Sequence, residues 1–121
     1  MRIRAAIALL AMLACVAVTL SGVALIKARS RRAYVEANRR HTIHLAWQPP
    51  VNSREPVVGY NVYRSSDGGG SYSKLNTLPV PRPEYDDATV RRATTYFYFV
   101  KSVGKKGVES QPSNEIRMRV P

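Results

Sequence analysis

The residues best suited by type to metal or acid–base chemistry are two histidines, His41 and His44, and a carboxylate group at Glu84, Asp86 and Asp87. The histidines stand three apart in a stretch that alternates like a strand. Their side chains therefore point to opposite faces and cannot grip one metal ion. They read as edge histidines. Adjacent carboxylates on a strand diverge in the same way, and no further run of oxygen ligands follows Asp87 to complete a calcium site. That group reads as a solvated turn. Gly68-Gly-Gly-Ser-Tyr-Ser-Lys74 has glycine and lysine but neither the Gly-Lys-Ser/Thr order nor the helix that a phosphate loop requires. It reads as a hairpin turn. Serine, histidine and aspartate occur with no nucleophile elbow around any serine. The expectation is a chain without enzymatic activity, with no catalytic, cofactor-binding or metal-ligating residues.

The elements that carry these residues are strands. Thr94-Thr-Tyr-Phe-Tyr-Phe-Val-Lys-Ser-Val103 holds aromatic and β-branched residues with no Gly or Pro, which suits a long strand near the centre of a sheet. Alternation puts Tyr96, Tyr98 and Val100 on one face and Phe97, Phe99 and Lys101 on the other. Lys101 favours water, so the Tyr96 face is expected in the core. Phe97 and Phe99 then need cover. His41-Thr-Ile-His-Leu-Ala-Trp47 places Ile43, Leu45 and Trp47 together, and Val57–Arg64 places Val58, Tyr60 and Val62 together. Shorter strands are expected at Tyr72–Leu75, Tyr85–Asp87 and Asn114–Val120. Turns fall at Asp67–Gly70 and Gly104–Gly107.

The N-terminal part reads differently. Ala5 to Ile26 is a run of 22 residues without a charge, and crossing the hydrocarbon of a bilayer takes about 20. The expectation is a membrane anchor over residues 1–26, with residues 5–26 in the bilayer. The alternative is a signal peptide, with Arg2 and Arg4 as its basic start and cleavage after Ala24. A lipoprotein signal at Cys15 fits less well, because the chain stays apolar beyond the cysteine. Residues 27–40 form a basic juxtamembrane linker, in which Lys27, Arg29, Arg31 and Arg32 are candidate contacts to lipid headgroups. Basic residues flank the run on both sides, so the positive-inside rule leaves the orientation open.

The net charge of +11 is unevenly spread: residues 1–40 carry +7 and residues 41–121 carry +4. Most of the excess therefore flanks the apolar run, and no nucleic-acid partner is expected. The one cysteine, Cys15, lies inside that run, so residues 41–121 hold no disulfide.

His44-Leu-Ala-Trp-Gln-Pro-Pro50, Val58-Gly-Tyr-Asn-Val-Tyr-Arg64, Thr95-Tyr-Phe-Tyr-Phe-Val-Lys-Ser-Val103 and Glu109-Ser-Gln-Pro-Ser-Asn-Glu115 follow one another in an order and spacing that resemble a fibronectin type III domain over residues 41–121. The resemblance implies an all-β, immunoglobulin-like antiparallel sandwich of seven strands, here preceded by one N-terminal transmembrane helix. It implies that Trp47 and Tyr60 pack in the core with Val62, Tyr98 and Val100, and that Tyr96 forms the tyrosine corner. The first strand of the sandwich would come from Ala33–Arg40, which is short and charged, leaving an open strand edge. In the family three loops gather at one end, here Gln48–Pro56, Leu78–Pro83 and Gly104–Ser110. Arg54, Arg82, Lys105 and Lys106 would place positive charge there, suited to an acidic partner surface, a glycan or a lipid headgroup. The expected function is a membrane-tethered binding, adhesion or scaffold module. It would meet a protein or glycan partner through these loops or the open edge, on the extracytoplasmic side. The alternative, after cleavage near Ala24, is a secreted carbohydrate-associated accessory module.

Overall fold

Alternating side chains divide the chain into strands with one wet and one dry face, and two such dry faces pack together. The computed structural model describes residues 1–9 and 40–121. Its strands are β1 (Ile3–Leu9), β2 (His41–Trp47), β3 (Val57–Ser65), β4 (Ser73–Lys74), β5 (Glu84–Asp87), β6 (Thr95–Gly104) and β7 (Ile116–Arg119). They form a three-stranded sheet in the order β1-β2-β5 and a four-stranded sheet in the order β4-β3-β6-β7. Every pairing is antiparallel. The long aromatic strand β6 lies inside its sheet, between β3 and β7.

The core sits between the sheets. Ile43, Leu45 and Trp47 of β2 face Tyr60 and Val62 of β3 and Tyr96, Tyr98 and Val100 of β6, all of them buried. Trp47 meets Tyr60 edge-to-face, with ring centroids 5.2 Å apart and planes at 72°, the geometry that the ring quadrupoles favour. Tyr96 makes the corner bond: its hydroxyl accepts from the backbone N–H of Arg91 at 2.9 Å.

Four features differ from the sequence reading. The strand beside β2 is Ile3–Leu9, with Ile3 opposite Trp47 and Leu9 opposite His41, and not Ala33–Arg40, of which residues 33–39 lie outside the described residues. Ile3, Ala5 and Ile7 alternate with Arg4 and Ala6, and that period-two signal was merged into the longer apolar run that follows it. The first five residues of the expected span, Ala5–Leu9, thus stand in a sheet, while 10–26 lie outside the described residues, as do Lys27, Arg29, Arg31 and Arg32. Among the described residues no helix is long and apolar enough to cross a membrane.

Val58 does not share a face with Tyr60 and Val62. The β3–β6 register shifts between Val57 and Gly59, and the bulge turns Val58 outward and Val57 toward the core. Gly59 is needed there because a Cβ would lie 2.6 Å from Pro79 Cβ. Pro79 is held close by the paired backbone bonds of Tyr60 and Val80.

Asp87 is not in a solvated turn. It is 2% exposed and ties the two sheets together. It accepts from Arg64 Nη1 at 2.7 Å, from the Tyr98 hydroxyl at 2.8 Å and from both the N–H and the hydroxyl of Thr89. Burial alone would raise its pKa; the bonds from Thr89, Arg64 and Tyr98 outweigh burial and hold it below the ordinary carboxylate range. His41 likewise is buried, at the end of the β2 row that faces the core, whereas His44 points outward and bonds Asp86 at 2.5 Å.

Candidate recognition surface

Three loops meet at one end of the sandwich, and the backbone shows what gathers them. Val57 pairs with Gly104, which sets residues 48–56 against residues 104–109. Trp47 N–H donates to the Pro83 carbonyl at 3.0 Å, and Tyr60 and Val80 exchange backbone bonds at 2.9 Å, which brings residues 76–83 to the same end. Asn76 anchors this last segment from within. Its Oδ1 accepts from Val62 N–H at 2.8 Å, and its Nδ2 donates to the carbonyls of Tyr60 and Leu78 and to Asn61 Oδ1. A two-residue β4 leaves β3 without a full ladder partner, and the buried Asn76 amide stands in for it.

The tips of these loops combine apolar side chains with positive charge. Val51, Val58, Leu78 and Val108 are the exposed large hydrophobic side chains among the described residues; Val51 and Leu78 are 94% and 79% exposed. All four lie at this end. Arg54, Arg82, Lys105 and Lys106 are exposed beside them. Lys105 and Lys106 occupy the two central positions of a tight turn closed by Gly107 N–H on the Gly104 carbonyl at 2.9 Å. Gly107 has a φ of 76°, a conformation that costs a residue with a side chain. Arg82 lies 3.7 Å from Glu84 Oε1, a weak exposed pair. The basic residues were legible in the sequence. The apolar tips were not, because a lone valine between polar neighbours carries no periodic signal; only their convergence marks them.

The outward face of the four-stranded sheet has its own arrangement. Tyr63 and Phe99, cross-strand partners, stack at 4.9 Å and 18°, and Tyr72 tilts onto Phe99 at 4.7 Å. Lys101 Nζ lies 5.4 Å from the Tyr63 centroid. Glu109 accepts from the Tyr63 hydroxyl and from Asn61 Nδ2 and pairs with Lys101, while Glu115 accepts from the Tyr72 hydroxyl. Burial, then the bond and charge of Glu109, push the Tyr63 phenol up to about 12. Phe99, which the sequence left in need of cover, is covered by Tyr63 and Tyr72, and the carboxylates close the cluster upon itself. The Tyr63–Phe99–Tyr72 cluster covers this part of the sheet, with both phenols already hydrogen-bonded to Glu109 and Glu115.

Chemistry at the remaining ionisable groups is limited. Among the described residues no group of three His, Cys, Asp or Glu side chains could hold a metal ion. The exposed His44–Asp86 pair points outward from the three-stranded sheet, on the side away from the core.

No protein-family model matches the chain. Among curated proteins it is 37% identical over 59 residues to an amylopullulanase of Thermoanaerobacterium thermosulfurigenes, a match covering 49% of this chain and 3% of that protein. It is 32% identical over 79 residues to the M-protein of striated muscle from Gallus gallus, covering 64% of this chain and 5% of that one. The chain thus spans a small fraction of the curated relatives that it matches. Among solved structures, a titin module from human cardiac muscle superposes with a TM-score of 0.54 at 23% identity, over 63% of this chain and 74% of that one; this likeness concerns the fold. An Fn3-like protein from Clostridium thermocellum superposes with a TM-score of 0.55 at 32% identity, over 66% of this chain and 77% of that one. An identity of 32% across 77% of that protein, joined to the three-plus-four strand order and the Tyr96 corner, shows that the chain belongs to the fibronectin type III family.

Proposed function

We propose that this chain is a non-catalytic recognition module, held at a membrane by its apolar N-terminal run, that binds an acidic protein partner through its three-loop end. The observation that carries the reading is the convergence of Val51, Val58, Leu78 and Val108 with Arg54, Arg82, Lys105 and Lys106. Apolar tips supply desolvation at the centre of a contact, and surrounding cations steer and orient an anionic partner. Residues 10–39 leave and return where Leu9 pairs with His41, at the opposite end of β2 from the loops. A tether through that segment presents the loops away from the membrane.

A second reading, a carbohydrate-associated accessory module released by cleavage near Ala24, is favoured by one observation: an enzyme named amylopullulanase contains a segment 37% identical to this chain. One experiment separates the two. A photo-crosslinking residue is placed at Leu78, or at Thr42 on the outer face of the other sheet, in the full chain expressed in its own cells. The tethered reading expects the chain in the membrane fraction and a discrete protein adduct from position 78 alone, lost when Lys105 and Lys106 become glutamate. Equal adducts from both positions would refute it. A soluble product that starts at Leu25 and migrates slowly through polysaccharide gels would establish the second reading.

A further inference from the structure

The β1–β2 pairing and the apolar run make incompatible demands on the same residues. Leu9 and His41 are register partners, so their Cα atoms lie within about 5.5 Å. Whatever residues 10–40 do, they must begin and end at one place on the domain. An apolar run that starts at Leu10 and crosses a bilayer ends on the far side at Ile26. Residues 27–40 would then have to return through the hydrocarbon, and they hold Lys27, Arg29, Arg31, Arg32, Arg39 and Arg40 as well as Glu36. Chain that carries such charges, with its backbone groups unpaired, does not pass through lipid. While β1 is in the sheet, the run cannot span.

Length points the same way. Leu10–Ile26 is 17 residues, about 25 Å as a helix at 1.5 Å per residue, short of a hydrocarbon core of about 30 Å. Adding Ala5–Leu9 brings the run to 22 residues and about 33 Å, enough to cross. The residues that complete the span are those that complete the sheet.

We propose that β1 is a releasable strand: Ile3–Leu9 is withdrawn from the sandwich when the apolar run enters a bilayer, and the edge of β2 from His41 to Trp47 is uncovered by the same event. Release costs the seven-pair ladder to β2, the burial of Ile3 and the bond from Ile3 N–H to Asn114, with Ala5 and Ile7 half-buried; β2 keeps β5 on its other side, and transfer of the apolar run into hydrocarbon offsets the loss. Membrane entry therefore changes the domain, turning a closed edge into one able to accept an extended segment. The inference rests on the membrane reading above.

Ala6 and His44 are register partners on the outward face, so a cysteine pair there reports β1 directly. The test uses the full chain carrying Cys15→Ser, Ala6→Cys and His44→Cys, synthesised into phosphatidylcholine–phosphatidylglycerol vesicles. The comparison chain also carries Val16→Lys and Leu20→Lys, which stop the run from spanning. Each is oxidised briefly, and the carbonate-resistant and soluble fractions are scored for the internal disulfide. The expected result is near-complete closure in the non-spanning chain and at least tenfold less in the integrated one. Equal closure in carbonate-resistant chains would overturn the switch and leave the membrane reading intact. Extraction of the parent chain by carbonate, with the disulfide closed, would overturn the membrane reading and the switch with it. Absence of closure in both chains would show that Ile3–Leu9 does not pair with β2, which overturns the switch alone.

Discussion

Replacing Asp87 with alanine removes a carboxylate that joins the two sheets. The side chain is 2% exposed, and the Tyr98 phenol that donates to it is fully buried. Alanine leaves that hydroxyl without its acceptor and Arg64, whose side chain is 23% exposed, without its counter-charge. Breaking a buried ion pair from one side costs about 3–5 kcal/mol. The stability of a small domain lies toward the low end of about 5–15 kcal/mol, so most of it would go. At about 4–8 °C per kcal/mol for a domain of this size, Tm should fall by roughly 12–40 °C. Urea unfolding followed by the fluorescence of Trp47, the only tryptophan, measures it directly.

Two companions isolate the cause. Asp87→Asn keeps the shape and one acceptor and should lose about half as much, since bonds to a charged group are worth about 1.5–3 kcal/mol each. Arg64→Met in the Asp87→Ala background should recover part of the loss, because it removes the stranded charge. The pH dependence follows from the lowered Asp87 pKa. The stabilisation is complete above the unfolded value of about 3.9 and is lost as pH falls through the lower folded value. The parent should therefore weaken in acid more steeply than Asp87→Asn. An Asp87→Ala protein within about 1 kcal/mol of the parent would refute this account, since even one lost charged bond exceeds that.

Other residues give equally direct readings. Tyr96→Phe removes the acceptor for Arg91 N–H and should cost about 1–2 kcal/mol in the same urea experiment. Gly59→Ala drives a Cβ to 2.6 Å from Pro79 Cβ and should destabilise by about 1–3 kcal/mol through overpacking; an unchanged midpoint would show that the Pro79 segment yields freely. Glu109→Gln removes the charge and weakens the bond that help to hold Tyr63 at about 12. Near-ultraviolet titration should show one tyrosine ionising closer to pH 10, and an unmoved titration would assign the shift to burial alone. Val51→Asp with Val108→Asp, both exposed, should leave stability within about 0.5 kcal/mol of the parent, as surface changes do, while abolishing the crosslink from position 78.

How far the sequence could be read depends on whether its signals are periodic. β2 alternates throughout and β6 alternates from Thr95 to Ser102, and their faces follow directly from that pattern. At β3 the alternation is broken by the bulge before Gly59, and the break is set by Pro79, twenty residues away, so no local rule places Val58. Polarity alone places Asp87 in water, whereas the spacing Asp87-Ala88-Thr89, in which the carboxylate caps the N–H two residues on, is the local signal for an ordered turn. The recognition end was half legible. Its cations are visible as residue types, but its apolar tips become a surface only when three loops far apart in the chain are drawn together, by the Trp47–Pro83 and Tyr60–Val80 backbone bonds and the Val57–Gly104 pairing.

The position of Leu9 and His41 at the opposite pole from the loop tips gives the sandwich a mechanical axis. A pull between a tether at His41 and a partner held at residues 76–83 enters along β2 and leaves through the antiparallel β5. The backbone bonds of β2 to β5, and to β1 when that strand is in place, lie across the direction of load. They are stressed side by side in shear, not peeled one after another. With β1 present the load is shared between two neighbouring strands; with β1 withdrawn it falls on β5, which meets β2 over only four residue pairs. A chain anchored through its N-terminal run would be a weaker link under tension than the same sandwich with its first strand in place, and it would yield first at β2.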